Sequence, residues 1–412
     1  MGFSKFIVIA LLATTLLTSV ESRDDCPNDI FKGPQKRFNI ILKDKVATKS
    51  HFKWLTNCYG RKIKHTSSVD FSKKLNKNDV LDFSVENVFH GYSADFHPEF
   101  VKHHLSNFPG IEVAEEDTEV KINYVVPRAV QSNPNPNLDR IDQEKFPLDE
   151  KYNFPDNAGK GVNVYIVDTG IRISHNEFEG RASFGYSSCF GCLNTDDHGH
   201  GTHVAAIVAG KTFGVSKKSN LIAVKVLNAA GSGSNSEVIC GLSFVLNDHI
   251  KNKKQNSVVN MSLGGGFSQA TNDAVKALTN NGIHVVVAAG NSAEDACEVS
   301  PASERTAITV GATEDSNDNV TNFSNIGRCV DIFAPGRNIL SAGILTDDDN
   351  KVFSGTSQAS PHVAGTVALI IAESGNFEPA KMVKKLVKIA TKKVIPPKTL
   401  KGSPNVFVKI PM

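Results

Sequence analysis

The sequence has almost no net charge for its size, and it has no long apolar run after its first residues. Its 45 lysine and arginine residues nearly balance its 43 aspartate and glutamate residues, which leaves a formal net charge of +2 over 412 residues. This small charge gives no electrostatic reason to expect nucleic acid or an anionic membrane as the main partner. A membrane-spanning helix needs about 20 consecutive apolar residues. We therefore expect a globular protein with no membrane span beyond the N-terminus.

The one apolar run lies at the N-terminus. Residues 1–22, MGFSKFIVIALLATTLLTSVES, combine a single lysine, a short apolar stretch and small residues near Ser22. This order is typical of a cleaved secretory signal peptide, and a membrane anchor is the alternative for which the run is short. We predict a secreted, extracellular protein whose cysteines meet oxidising conditions.

The sequence also lacks the residue spacing of a zinc site. It has seven cysteines, so at least one has no partner within the chain, and Cys189 and Cys192 form a lone C-x-x-C. Without a second pair, a local disulfide is favoured over zinc. The histidines His198, His200 and His203 lie close together in DDHGHGTHVAAIVAG, but they lack the H-E-x-x-H spacing of a zinc peptidase.

Composition divides the rest of the chain into two parts. Residues 23–128 are rich in Lys, Asn and Asp and alternate strand and helix patterns, which predicts a small α+β domain. Prolines and asparagines in VVPRAVQSNPNPNLDRI mark an exposed connection to residues 129–412. No internal repeat is present in the sequence.

Residues 129–412 contain apolar strands that alternate with helices. Near-continuous Val/Ile runs such as GVNVYIVD and IHVVVAAG predict an α/β fold with a mostly parallel central sheet and helices on both faces. In such sheets the functional groups gather at the carboxyl ends of the strands. Three of these ends carry the polar residues Asp168, Ser262 and Asn291.

Asp168, His200 and Ser357 could together form a nucleophilic site. In such a set the serine attacks a carbonyl, the histidine takes its proton, and the aspartate orients the histidine. Each residue also has an ordinary explanation. Asp168 could cap a turn, and SGTSQASPHVAG at 354–365 could simply begin a buried helix.

The chain from about 129 to 390 resembles the subtilisin-like serine peptidases, and the proteinase K branch most closely. The motifs that carry the resemblance occur in order as VYIVDTGIRISHNEFEGRA, HGHGTHVA, SLGGG, VVVAAGNSAEDACEVSPASE, FSNIGRCVDIFAPG and SGTSQASPHVAG. The resemblance implies Asp168 as the orienting acid, His200 as the general base and Ser357 as the nucleophile. It implies that the Asn291 side chain and the Ser357 backbone N–H form the oxyanion hole.

The resemblance also implies the segments that line the substrate. An extended peptide would pair with the backbone of GSGS and SLGG; the residues concerned are Gly231, Ser232, Gly233, Ser262, Leu263 and Gly264. The small and apolar residues of 262–266 and 288–290 predict broad cleavage after aromatic and aliphatic residues. Glu298 is the one acid near this pocket, and Gln358 stands where the family usually has methionine.

Structural features are implied in the same way. The resemblance implies a Cys297–Cys329 disulfide, whereas Cys26–Cys58 and Cys189–Cys192 are looser guesses and Cys240 is expected to be a buried free thiol. It implies no catalytic cofactor. It does imply a structural Ca²⁺ ion held by the carbonyls of Arg305 and Ala307 and by the carboxylate of Asp331.

Residues 23–128 resemble the family's propeptide, which is an inhibitor and a folding aid. A cut after Arg128 aligns best with related enzymes, and sites back to Tyr124 stay open. The sequence thus predicts a secreted serine endopeptidase that is made as an autoprocessed zymogen. Its partners would be protein or peptide substrates and its own propeptide, and it would be a monomer. An inactive homologue that serves as a binding module and a serine esterase are the alternatives.

Overall fold

The computed structural model describes residues 34–43, 51–55, 80–85, 88–122, 135–252 and 256–411. The predicted signal peptide, the Cys26–Cys58 pair and the predicted cut after Arg128 lie outside the described residues. Among the described residues, no helix combines the length and the apolar composition that crossing a membrane requires.

A small antiparallel sheet forms the first part of the chain. Its strands are β1 (Lys36–Leu42), β2 (Leu81–Asp82), β3 (His90–Phe96) and β4 (Ile111–Glu116), in the order β2-β3-β1-β4. Residues 51–55 are helical, and the short helix α1 (Pro98–Phe100) continues into a π-helical turn over Val101–Leu105. These elements enclose an aromatic-rich core of their own. The arrangement is the α+β type that the sequence predicts.

The remaining strands and helices follow in chain order, and the first of them, β5, still belongs to residues 23–128. The strands are β5 (Glu119–Ile122), β6 (Asn163–Asp168), β7 (Ala182–Ser187), β8 (Asn220–Lys225), β9 (Ser232–Ser234), β10 (Ser257–Met261), β11 (Leu263–Gly266), β12 (His284–Ala288), β13 (Val299–Ser300), β14 (Ile308–Thr313), β15 (Ile332–Pro335), β16 (Ile339–Ala342), β17 (Asn350–Phe353), β18 (Thr391–Lys392) and β19 (Val406–Phe407). The helices are α2 (Pro136–Asp142), α3 (His200–Ala209), α4 (Asn235–Lys251), α5 (Gln269–Asn280), α6 (Thr356–Ser374), α7 (Pro379–Ile389) and α8 (Pro397–Leu400).

Nine of these strands form the central sheet. Their order is β18-β19-β15-β14-β12-β10-β6-β8-β7. The pairs from β7 to β19 are parallel, and only β18 joins antiparallel. β6, β10 and β12 are buried on both sides apart from Asn163, which explains their continuous apolar sequence.

The sheet is covered on both faces. One apolar cluster joins the sheet to α3 and α6, and a second joins it to α4 and α5. The predicted fold, a mostly parallel sheet between two layers of helices, is therefore confirmed. Because parallel strands end at the same edge, the loops after β6, β10 and β12 meet there.

Candidate active site

Asp168 and His200 form a buried hydrogen-bonded pair at the carboxyl edge of the central sheet. Asp168 is the last residue of β6, and His200 is the first residue of α3. The His200 Nδ1 atom lies 2.7 Å from Asp168 Oδ1, and both side chains are fully buried. A carboxylate bound to one ring nitrogen orients the imidazole and favours a proton on that nitrogen. The arrangement leaves the opposite ring nitrogen for chemistry.

Ser357 lies at the beginning of α6, which starts at Thr356. Its hydroxyl donates to the Ser262 carbonyl at 3.0 Å, and the Ser262 hydroxyl donates to the Ser357 carbonyl at 2.8 Å. This exchange fixes the helix start against the segment between β10 and β11. The N-terminus of α6 also directs its backbone N–H groups and its positive dipole toward this point.

The side-chain amide of Asn291 is oriented by one neighbour. Its Oδ1 atom accepts from the Thr356 backbone N–H at 2.9 Å and from the Thr356 hydroxyl at 3.0 Å. The Asn291 Nδ2 atom is buried and has no hydrogen-bond partner among the described residues. A buried N–H without a partner costs roughly 1–3 kcal/mol. The amide is thus a donor held ready for an oxygen atom. No sequence pattern indicates this role of Thr356.

An extended strand lies between the two segments that the sequence predicted to line a substrate. β5 pairs antiparallel with β9 on one side and with β11 on the other. Ser232 pairs with Lys121, Gly233 with Val120, Leu263 with Ile122 and Gly264 with Lys121. Gly231 and Ser262 lie just outside these paired positions.

Two carboxylates of the N-terminal part bind the ends of two helices in the second part. The Glu115 carboxylate accepts from the backbone N–H groups of Gln269 at 2.9 Å and Ala270 at 3.0 Å, at the start of α5. The Asp117 carboxylate accepts from the Ser236 N–H at 2.9 Å, in the first turn of α4. Helix N-termini favour negative charge. The acidic run IEVAEEDTEV could have suggested such contacts from sequence.

The other two histidines of the cluster differ in their surroundings. His203 Nε2 lies 3.1 Å from the carbonyls of Ile339 and Lys351, and burial lowers the pKa of His203 to about 3. It is therefore neutral and structural. Burial also lowers the pKa of His198, with a smaller contribution from the neighbouring His200.

Gln358 follows Ser357 and is fully buried. Neither its Oε1 nor its Nε2 atom has a hydrogen-bond partner in the part of the chain that the structure describes. An apolar residue of similar length would fit such surroundings without loss of hydrogen bonds.

The carboxylate of the predicted calcium ligands, Asp331, already has protein partners. Asp331 Oδ2 accepts from the Thr309 N–H at 2.9 Å, and Asp331 Oδ1 faces the Arg305 guanidinium at 3.6 Å. The arginine thus supplies a positive charge to the one carboxylate of the set. Burial still raises the pKa of Asp331.

The described cysteines agree with the predicted pairs. Cys297 and Cys329 form a disulfide with their Cα atoms 5.3 Å apart. Cys189 and Cys192 form a second one, and Cys240 is a buried free cysteine.

Comparison with known proteins gives one consistent family. Residues 159–405 match the sequence profile of the subtilase family, Peptidase_S8. A cuticle-degrading protease of Metarhizium anisopliae is 44% identical over 315 residues, which cover 76% of this chain and 79% of that protein. The subtilase-type proteinase psp3 of Schizosaccharomyces pombe is 40% identical over 358 residues, covering 85% of this chain and 77% of that protein.

A solved structure agrees with these relatives. The crystal structure of a cold adapted subtilisin-like serine proteinase matches with a TM-score of 0.62 and 40% identity. It covers 68% of this chain and 100% of its own.

Proposed function

The chain belongs to the subtilase family and is a subtilisin-like serine protease; on that premise we propose that Asp168, His200 and Ser357 are its catalytic triad. The observation that carries the proposal is the buried 2.7 Å contact between Asp168 and His200, at the sheet edge where Ser357 lies in the first turn of α6. In the reaction the Ser357 hydroxyl turns from the Ser262 carbonyl to the Nε2 atom of His200. Hydrogen bonds of this kind often tighten only when substrate is bound.

The proposed first step is attack of Ser357 Oγ on the scissile carbonyl carbon. His200 takes the hydroxyl proton, and the Asp168 carboxylate stabilises the imidazolium that forms. The proton then passes from His200 to the amine nitrogen as the C–N bond breaks, which leaves an ester on Ser357. Water, deprotonated by His200, attacks this ester, and the proton returns to Ser357 Oγ as the acid is released. The mechanism uses no metal ion or cofactor.

Charge on the carbonyl oxygen is met by donors that are already in place. We propose that the oxyanion accepts from the Asn291 Nδ2 atom and from the Ser357 backbone N–H. The support is the unpartnered, buried state of Nδ2 and its fixed orientation by Thr356. A donor that gains its bond only in the transition state lowers the barrier selectively.

We propose that protein substrates bind as an extended strand between β9 and β11, where β5 lies. Backbone pairing of this kind is independent of side-chain identity, which suits an endopeptidase of broad specificity. The segment before the scissile bond would face 262–266, 288–290 and the start of β13, which are small or apolar. We therefore propose a preference for aromatic and aliphatic residues there, with the exposed Glu298 as the exception.

The position of β5 supports the proposal that residues 23–128 are an inhibitory propeptide of a zymogen. β5 occupies the strand position that a substrate would need. Close to β5 in the chain, Glu115 binds the start of α5 and Asp117 binds the first turn of α4. A monomeric, secreted protease that is blocked by its own propeptide until processing is the form we propose for this chain. Secretion accords with the cuticle-degrading relatives.

The register of β5 limits where the first cut can fall. Ile122 pairs with Leu263, so the chain runs toward Ser262, whose carbonyl binds the Ser357 hydroxyl. Arg128 is six residues further on, which is up to roughly 20 Å of extended chain. We propose a first cut next to Asn123 or Tyr124, and later trimming to Ala129.

The test of this function is processing by the purified chain. The wild type should lose its N-terminal part, first with an N-terminus at Tyr124 or Val125, and should then digest an unfolded protein substrate. Ser357→Ala and His200→Ala should accumulate as precursors, whereas His198→Ala is the matched control that should mature. Normal maturation of isolated Ser357→Ala would exclude self-processing. Labelling by a fluorophosphonate without protein digestion would favour the esterase.

A further inference from the structure

We propose that Thr169 and Asp196 are positioning residues of this protease, because they lock the turn that carries Asp168 to the first turn of α3, which carries His200. The inference rests on the proposed triad and adds two residues that touch neither substrate nor reacting atoms.

Asp196 gathers five hydrogen bonds at the start of α3. Its Oδ1 atom accepts from the Thr169 hydroxyl at 2.8 Å and from the backbone N–H groups of His198 at 3.0 Å and Gly199 at 2.8 Å. Its Oδ2 atom accepts from the Thr202 N–H at 2.8 Å and the Thr202 hydroxyl at 2.6 Å. Every partner is a donor, so only a carboxylate satisfies them all.

Asp196 thereby acts as the cap that the helix otherwise lacks. Gly199 precedes the helix and offers no side chain for capping. The first N–H groups of a helix have no partner within it. With Asp196 only 5% exposed, the loss of this carboxylate would leave buried donors unpaired and free the helix start to shift.

Thr169 is held by the other side of the same network. Its N–H donates to Asp168 Oδ1 at 2.7 Å, the oxygen that also binds His200 Nδ1. Its hydroxyl accepts from the Gly201 N–H at 2.9 Å while it donates to Asp196, and its carbonyl accepts from the Lys225 ammonium. Thr169 therefore links the Asp168 carboxylate to the start of α3, because its N–H binds Asp168 while its hydroxyl binds both Gly201 and Asp196.

The two turns are packed without free space. A Cβ atom on Gly201 would lie 2.1 Å from the Gly170 carbonyl oxygen, so the backbones are in direct contact. A shift of the helix start would therefore be transmitted to the Asp168 turn. Misplacement of catalytic groups by about 1 Å can cost roughly 100-fold in rate.

Several titratable groups surround His200 and bear on any pH measurement. They are Asp168, Asp196, Asp197, Lys225, His198 and His203. Lys225 Nζ lies 2.7 Å from Asp197 Oδ1, so these two opposite charges form a pair. Thr169 carries no charge. A change at Thr169 therefore reports on geometry without altering this set of charges.

The decisive comparison is Thr169→Val against Thr169→Ser, measured per fluorophosphonate-titrated site so that misfolded molecules are not counted. Valine removes the hydroxyl at nearly constant shape, and serine retains it. We expect Thr169→Val to lower kcat by about 10–100-fold with KM within about threefold, and Thr169→Ser to stay within about threefold of wild type.

The pH profile separates positioning from mere stability. Because a weakened bond to Asp168 stabilises the imidazolium less, the acid limb of kcat/KM should move to lower pH in Thr169→Val. Asp196→Asn should show the same loss, and the double variant should be much less impaired than the product of the single losses.

An unchanged kcat and acid limb in Thr169→Val, with only a lower Tm, would overturn the inference. Multiplying losses in the double variant would also overturn it, because the two residues would then act separately. Failure of the proposed triad gives a different result, since the wild type itself would then take no fluorophosphonate label on Ser357.

Discussion

At the scale of single residues, the orientation of one amide separates two explanations of Asn291. The sequence could place Asn291 after a buried strand, but it could not say which end of the amide faces the reacting carbonyl. That depends on Thr356, which is 65 residues away and binds the amide oxygen twice. The nitrogen is thereby left as the donor.

Replacing this donor should lower turnover more than substrate binding. We expect Asn291→Leu, which keeps a similar volume, to reduce kcat by about 100–1,000-fold with little change in KM. Steady-state kinetics on a peptide substrate provide the measurement. Near-normal turnover would reduce Asn291 to a turn residue.

Gln358 gives a prediction of the opposite kind. Its two polar atoms are buried without a partner in the described part of the chain. Replacement by methionine removes both while filling the space, and we expect it to increase the free energy of unfolding by about 1–3 kcal/mol. Thermal unfolding in the Ser357→Ala background, which cannot digest itself, measures this. A lower Tm in Gln358→Met would mean that the amide has a bonding partner after all.

At the scale of elements, the sequence was sufficient to predict the central sheet. It was insufficient to predict the contacts that the N-terminal part makes with the second part. Continuous apolar runs such as those of β6 and β12 predict buried parallel strands, and these strands bring Asp168 and Asn291 to one edge. The insertion of β5 between β9 and β11 could not be located, because a short strand carries little pattern of its own.

The N-terminal part contains a buried histidine that makes its stability depend on pH. His51 Nε2 lies 2.7 Å from the Tyr92 hydroxyl, and burial lowers the pKa of His51 to about 3. In the unfolded state the pKa of His51 is near 6.5, so as the pH falls the unfolded state binds the proton before the folded state does. The contribution of neutral His51 to the free energy of unfolding is therefore fully present above about pH 6.5, and it is lost as the pH falls toward 3. At pH 4.5 the loss is about 3 kcal/mol.

The only tryptophan of the chain reports on this core. Trp54 stacks on Phe100 at 5.9 Å and lies 6.0 Å from the His51 ring. In the Ser357→Ala precursor, the acid transition of Trp54 fluorescence should move to lower pH when His51 is replaced by leucine. An identical midpoint in both proteins would remove His51 as the cause. Burial raises the pKa of Glu115. Protonation of Glu115 in acid therefore favours the contact of Glu115 with α5, which opposes the destabilisation caused by His51.

At the scale of the whole molecule, the exposed Arg305 side chain faces the carboxylate that was predicted to bind calcium. The family resemblance pointed to Asp331, and the sequence could not reveal that the Arg305 side chain would face that carboxylate rather than offer its carbonyl alone. Removal of calcium should leave the Tm of the wild type unchanged. In Arg305→Ala the carboxylate loses its counter-charge, so added calcium should raise the Tm by mass action.

Thermal unfolding with EDTA and with calcium, on both proteins, checks this expectation. The Ser357→Ala background prevents digestion during heating. A wild-type Tm that falls in EDTA would show that calcium is bound, and it would refute the idea that the Arg305 charge serves in its place.

The most direct test of the central claim is to locate the nucleophile. The mature wild type is treated with a fluorophosphonate, digested, and mapped by mass spectrometry. A serine becomes reactive only with its base in place. We expect one adduct, on Ser357, with proteolysis lost in proportion to labelling, and no adduct in His200→Ala. An adduct on another serine, or full proteolysis after complete labelling of Ser357, would contradict it.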